Sequence, residues 1–196
     1  MRRIFILLFL LLSGCASIKF NAEPLRPDPL MLYHLSVTME PAHQCSLPVF
    51  YAIHEDISDE LEQQIIRSFE YWDDLTDKNL FFYLGRIKEV KNPDLIESDI
   101  IIVEKLNEDK QLAITEIQWN TITHCIFKTT ISIPKETLHL PKSAIEAIIR
   151  HEIGHVLGFD HSNIKRDLMY PQYDTEKGEL KGLSNWELKS FQLMYE

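Results

Sequence analysis

The sequence predicts an α+β domain, and three observations carry that expectation. Short apolar runs rich in Ile and Thr read as buried strands, an amphipathic stretch between the first two reads as a helix, and two capping-box signatures open further helices near the end. The order is strand, helix, several strands, helix, helix, so the two kinds of element are segregated and not strictly alternating. A chain of 196 residues with 45% hydrophobic and 26% charged residues fits one domain with a real core.

Residues 1–14 are unlike the rest. Arg2 and Arg3 precede an unbroken apolar run from Ile4 to Leu12. That run is far short of the ~20 residues a helix needs to span a bilayer, so it reads as the core of a secretory signal. Leu12-Ser13-Gly14-Cys15 follows at once and resembles the lipobox of bacterial lipoproteins. The resemblance implies a signal peptide over 1–14, lipidation of Cys15 as the first mature residue, and a membrane anchor in the bacterial cell envelope. Ala16 resembles the outer-membrane sorting signal. From Ser17 to about Gln44, Pro24, Pro27 and Pro29 favour an extended, polyproline-like tether, with the more apolar Leu30 to Met39 able to lie against the domain.

The domain is expected over residues 45–196. Val49 to Ile53 reads as a strand. Ser58 can cap a helix whose first turn holds Asp59, Glu60 and Glu62, and Leu61, Ile65, Phe69 and Trp72 give it one apolar face. Leu80–Leu84, Asp99–Val103, Gln111–Trp119 and Cys125–Ile133 are further strand candidates. Ser143-Ala144-Ile145-Glu146 reads as a capping box opening a helix to about Leu157. Ser184-Asn185-Trp186-Glu187 reads as a second, with Leu183 and Leu188 as its hydrophobic staple.

The chemistry is concentrated in His151-Glu152-Ile153-Gly154-His155-Val156-Leu157-Gly158-Phe159-Asp160-His161. Positions four apart on a helix differ by about 40° around the axis, so His151 and His155 project together and can share one tetrahedral zinc ion. They flank Ile148 at the border of a stripe formed by Ile145, Ile149, Ile153 and Val156, so one side of the helix is expected to be buried. Gly158 can take a positive φ and reverse the chain, which lets His161 return as the third ligand. Three protein ligands leave a fourth position open, the arrangement of a catalytic site and not of a structural one. Glu152 is not needed as a ligand and is placed to act as general base.

This segment resembles that of the metzincin metallopeptidases, and Asp167-Leu168-Met169-Tyr170-Pro171-Gln172-Tyr173 narrows the resemblance to the matrixin-like branch. The resemblance implies a twisted mixed sheet with a long helix, an active-site helix and a C-terminal helix. It implies that Met169 lies beneath the metal, and that Pro171 and Tyr173 wall the pocket for the side chain after the scissile bond. Leu112-Ala113-Ile114-Thr115 is similar to the edge strand along which substrate lies, a role that suits unpaired backbone groups. Ala147, small and one turn before His151, leaves that pocket open to large apolar side chains.

One zinc ion is expected. Neither a structural zinc nor calcium is, because Glu104 to Ile133 offers only His124 and scattered acids. His34, His43, His54 and His139 read as ordinary surface or packing residues. Setting Cys15 aside leaves Cys45 and Cys125, which in an oxidising compartment read as a disulfide; the alternative is a Cys45 thiolate directed at the zinc. A formal charge of −10 with no basic block argues against nucleic acid. The expected protein is a monomeric zinc metalloendopeptidase acting on proteins or peptides. A catalytically inactive metal-binding lipoprotein with an adhesion or assembly role is the alternative, and amide hydrolysis in a cell-wall polymer a third.

Overall fold

The computed structural model describes residues 15–21, 42–88, 99–105, 111–173 and 182–195. The signal segment 1–14, the prolines at 24, 27 and 29, and the apolar stretch from Leu30 to Met39 lie outside them. Six strands form one mixed sheet: β1 (Cys15–Asn21), β2 (Val49–His54), β3 (Phe81–Ile87), β4 (Ile100–Lys105), β5 (Ile114–Asn120) and β6 (Ile126–Pro134). Their spatial order is β1-β5-β6-β4-β2-β3. Strands β3, β2, β4 and β6 run parallel, while β5 is antiparallel to both β6 and β1. Every strand expected between 45 and 134 is present, shifted by a few residues at its ends.

Strand β1 departs from the expectation of a tether beginning at Ser17. Cys15–Asn21 pairs residue for residue with β5, from Cys15 opposite Asn120 to Asn21 opposite Ile114. An open sheet edge presents a row of unpaired backbone donors and acceptors, and this stretch supplies partners for them. The edge expected to receive substrate is therefore covered from Ile114 onward, while Leu112 and Ala113 lie beyond the last pair.

The first helix, α1 (Asp59–Thr76), begins as predicted: Ser58 Oγ accepts from the Leu61 amide at 3.3 Å. Leu61, Ile65, Phe69 and Trp72 are all buried against the sheet and the second helix, α2 (Lys142–Val156). Each such side chain stabilises by about 1.5–3 kcal/mol. The Arg67–Glu146 pair bridging α1 and α2 at 2.8 Å is half exposed on the Arg side and contributes about 1 kcal/mol at most. The apolar face, not the ion pair, docks α1.

Two expectations for α2 are corrected. Ser143 is not its N-cap. The helix starts two residues earlier than a Ser143 cap implies, at Lys142, with Pro141 in the cap position and no side-chain cap bond. Proline brings a φ already suited to helix entry, and Glu146 is drawn outward to Arg67 in place of closing a box. Nor is α2 buried on one side only, since every residue from Ala147 to Val156 is buried. The polar side of the wheel is covered by α1, where Trp72 Nε1 donates to the Arg150 carbonyl at 3.1 Å and the Arg150 guanidinium lies 3.9 Å from the Tyr71 ring centre.

The last helix, α3 (Asn185–Tyr195), has the predicted box. The Glu187 amide donates to Ser184 Oγ at 3.3 Å, and the Ser184 amide donates back to Glu187 Oε2 at 2.7 Å. Cys45 and Cys125 are joined in a disulfide, with Cα atoms 5.3 Å apart, tying the segment before β2 to the β5–β6 hairpin. That settles the pairing against a thiolate at the metal site.

Candidate metal centre and substrate pocket

Helix α2 ends at a Schellman motif. Gly158 has φ 89°, its amide donates to the His155 carbonyl at 2.9 Å, and the Phe159 amide reaches back to the Gly154 carbonyl at 3.0 Å. A Cβ at Gly158 would also stand 2.3 Å from the Ala42 carbonyl oxygen, so both backbone conformation and space demand glycine. The carbonyls of Val156 and Leu157 are taken by Gln44 Nε2 at 3.0 Å and the Tyr195 hydroxyl at 2.6 Å. The reversed chain returns His161 to the helix.

The three imidazoles converge. Their nearest ligand-capable nitrogens all lie within 4.8 Å of one another, and His155 Nε2 is 3.2 Å from His161 Nε2. Two nitrogens bound to one tetrahedral zinc at ~2.0–2.1 Å would be separated by about 3.3 Å. That pair already has the separation the ion requires. Donor chemistry agrees. His151 Nδ1 lies 2.8 Å from the Leu168 carbonyl and His155 Nδ1 lies 2.8 Å from the Phe159 carbonyl. A carbonyl can only accept, so both rings carry their proton on Nδ1 and keep the Nε2 lone pair for a metal. Burial holds the His155 pKa well below the ordinary histidine value, assisted by the neighbouring His151 and His161, and burial lowers that of His161 as well. Both therefore stay neutral at neutral pH, the form that can ligate.

Glu152 is buried beside the triad. Thr115 Oγ1 donates to its Oε2 at 2.5 Å. Burial pushes the carboxyl up to about 7, and the Thr115 hydrogen bond opposes that rise. Glu152 and His151 line a cavity of about 240 Å³ together with Leu112, Ala113, Ala147, Ile148, Leu168 and the segment from Tyr170 to Tyr173. Ala147, Pro171 and Tyr173 are thus brought to one pocket, next to the residues read as the substrate edge.

Met169 is buried, and a Cβ built on Gly154 would stand 2.3 Å from its sulfur. Between the two helical histidines only glycine leaves room for it. The methionine loop is held from α3: Glu187 Oε1 accepts from the Met169 amide at 2.8 Å and Oε2 from the Leu168 amide at 3.3 Å. The sequence marks Glu187 only as a capping residue, and nothing in it marks Thr115 as a partner of Glu152. Both roles depend on contacts between residues distant in the chain.

With this geometry in place, similarity to known proteins becomes informative. Residues 105–196 match the Peptidase M10 family described as matrixin. This is a metzincin-like protein. It is 37% identical over 51 residues to metalloendoproteinase 2-MMP of Arabidopsis thaliana, and 43% identical over 47 residues to karilysin of Tannerella forsythia. Those matches span 26% and 22% of this chain but only 13% and 10% of the relatives' own lengths. Among solved structures, the archaemetzincin of Methanopyrus kandleri superposes with a TM-score of 0.49 at 12% identity, over 78% of this chain and 96% of that one. The zinc-protease high choriolytic enzyme 1 of Oryzias latipes gives 0.42 at 14% identity, over 75% and 88%. The matrixin match includes all three histidines, Glu152, the methionine loop and α3 of the metzincin-like chain, but begins only at the last residue of β4, so it leaves out β1 to β3 and α1. Zinc is the metal expected for such a family, and three converging imidazoles, two of them with Nδ1 at a backbone carbonyl, fit it.

Proposed function

We propose that the protein is a zinc-dependent metalloendopeptidase that cleaves protein or peptide substrates, with Glu152 as general base. The observation that carries this reading is the 3.2 Å approach of His155 Nε2 to His161 Nε2 beside a buried carboxyl at the wall of a pocket. His151, His155 and His161 would hold the ion through their Nε2 atoms. Zinc, when bound, supplies Lewis acidity that polarises the scissile carbonyl and acidifies the attacking water. The Glu152 carboxylate accepts the proton from that water and delivers it to the leaving amine. Leu112 and Ala113 offer backbone groups to an extended substrate, and Ala147, Ile148, Pro171 and Tyr173 receive the side chain after the scissile bond. A peptide paired there would continue the line of β1, which runs antiparallel to β5 and ends opposite Ile114.

Lipidation at Cys15 and anchoring in the bacterial envelope, on the outer membrane by the character of Ala16, remain part of this proposal. They suit a monomeric enzyme acting on protein substrates outside the cytoplasm. The test is metal content together with cleavage profiling on a proteome-derived peptide library. Expected are one zinc per chain, chelator-sensitive cleavage, and a Glu152→Ala variant that keeps zinc but loses at least about 100-fold in rate. A variant as fast as wild type refutes the general-base role, and a chain that cleaves nothing when zinc-loaded refutes the peptidase reading.

A further inference from the structure

Along β5 and the residue before it, the side chains directed at α2 alternate with those directed away. Ala113, Thr115 and Ile117 are the buried members of this series. Two are apolar, and the single hydroxyl between them sits where Glu152 lies behind the strand. Thr115 is 0% exposed, a position at which valine would satisfy both strand propensity and packing. The hydroxyl is the part that needs a reason. It donates to Glu152 Oε2 at 2.5 Å, with the Glu152 backbone carbonyl a more distant acceptor at 3.4 Å. The other carboxylate oxygen makes no hydrogen bond among the described residues, and Glu152 lines the cavity.

Thr115 is also firmly placed. It pairs with Phe20 of β1 on one side and Ile131 of β6 on the other, so the strand that carries it is held at both edges. A β-branched side chain has few χ1 options, so the hydroxyl is oriented as well as located. A general base gains its effect only when the accepting oxygen stands at the proton it removes, and small misplacements are costly.

We propose that Thr115 is the positioning residue for Glu152: its hydroxyl clamps one carboxylate oxygen from the substrate-side strand and leaves the other facing the pocket for proton transfer. This rests on the reading of Glu152 as general base. It links catalysis to the strand that directly follows Leu112 and Ala113, the residues read as receiving the substrate, so the base is aligned by the same piece of backbone that aligns the peptide.

The experiment uses the zinc-loaded full chain and its Thr115→Val and Thr115→Ser variants. In Thr115→Val, zinc content stays at one equivalent, KM stays within about twofold and kcat falls by about tenfold or more. Thr115→Ser, which keeps the donor but has a freer rotamer, returns to within about threefold of wild type. In a Glu152→Ala background the Val substitution has no further effect, because there is no carboxylate left to position. Wild-type kcat in Thr115→Val, equal losses in Val and Ser, or multiplying effects in the double variant each overturn the proposal. Should Thr115→Val fail to fold, Thr115→Ser against Thr115→Ala isolates the hydroxyl, with Ser expected to be faster by about fivefold or more and parity refuting the idea. Crystal structures give a reading independent of turnover. The Glu152 side chain keeps its rotamer in Thr115→Ser and leaves it in Thr115→Val, and an unmoved carboxylate in the latter overturns the proposal even if wild type cleaves nothing.

Discussion

Replacing Glu187 with alanine should damage the candidate metal centre from α3, through the methionine loop it holds. Its buried carboxylate accepts from the amides of Met169 at 2.8 Å, Leu168 at 3.3 Å and Ser184 at 2.7 Å, and from Ser184 Oγ at 2.9 Å. Alanine leaves the Leu168 and Met169 amides buried without an acceptor, at about 1–3 kcal/mol each, and opens the capping box at about 1 kcal/mol. A loss of about 3–7 kcal/mol is expected, a large share of the ~5–15 kcal/mol that keeps a domain folded. The effect should also reach the metal. The Leu168 carbonyl orients His151, and Met169 fills the space over Gly154, so loosening this loop should weaken zinc binding by about tenfold or more. Urea unfolding of chelator-treated and zinc-loaded protein, with a competitive zinc titration, separates the two effects. Glu187→Gln retains one acceptor oxygen and should lose about half as much stability. An alanine variant within about 1 kcal/mol of wild type with unchanged zinc affinity would refute the coupling of α3 to the metal loop.

Other outcomes follow from the same geometry. Gly154→Ala drives a Cβ into Met169 and should cost about 1–3 kcal/mol by overpacking, whereas Gly158→Ala meets both a positive φ and the Ala42 carbonyl and should cost more; melting temperatures of the two variants check the ranking. Metal-free protein should lose stability as pH falls below about 6.5, because His155 and His161 stay neutral in the fold while their unfolded counterparts take up protons. Glu152 acts in the opposite sense, binding its proton more tightly folded than unfolded between about 4.5 and about 7, so Glu152→Gln should steepen the acid loss, as chelator-treated unfolding across that range would show. A flat profile in both proteins would mean that the two imidazoles are solvated.

What the sequence made legible is what is encoded within one or two turns of chain. The His151–His155 spacing, the Gly158 reversal, the Ser58 cap and the Ser184 box are local, and each sits within a residue or two of its predicted place. Local signals can also compete. Ser143 and Glu146 have the spacing of a cap, but Pro141 starts the helix and Arg67 from α1 claims the glutamate. The remaining features required the tertiary fold. Periodicity implied an α2 buried on one side; no pattern in its own residues could show that α1 would cover the other, because Arg150–Tyr71 and Glu146–Arg67 are contacts between residues far apart in the chain. The same limit hides the supports of the metal site. His151 meets a carbonyl 17 residues later, Glu152 a hydroxyl 37 residues earlier, and the Met169 amide a carboxylate 18 residues beyond it. A histidine pair on a helix states where a metal can bind. Whether it is held with its lone pairs converging depends on the Leu168 and Phe159 carbonyls and on Glu187 behind the methionine loop, contacts that the histidine spacing does not encode.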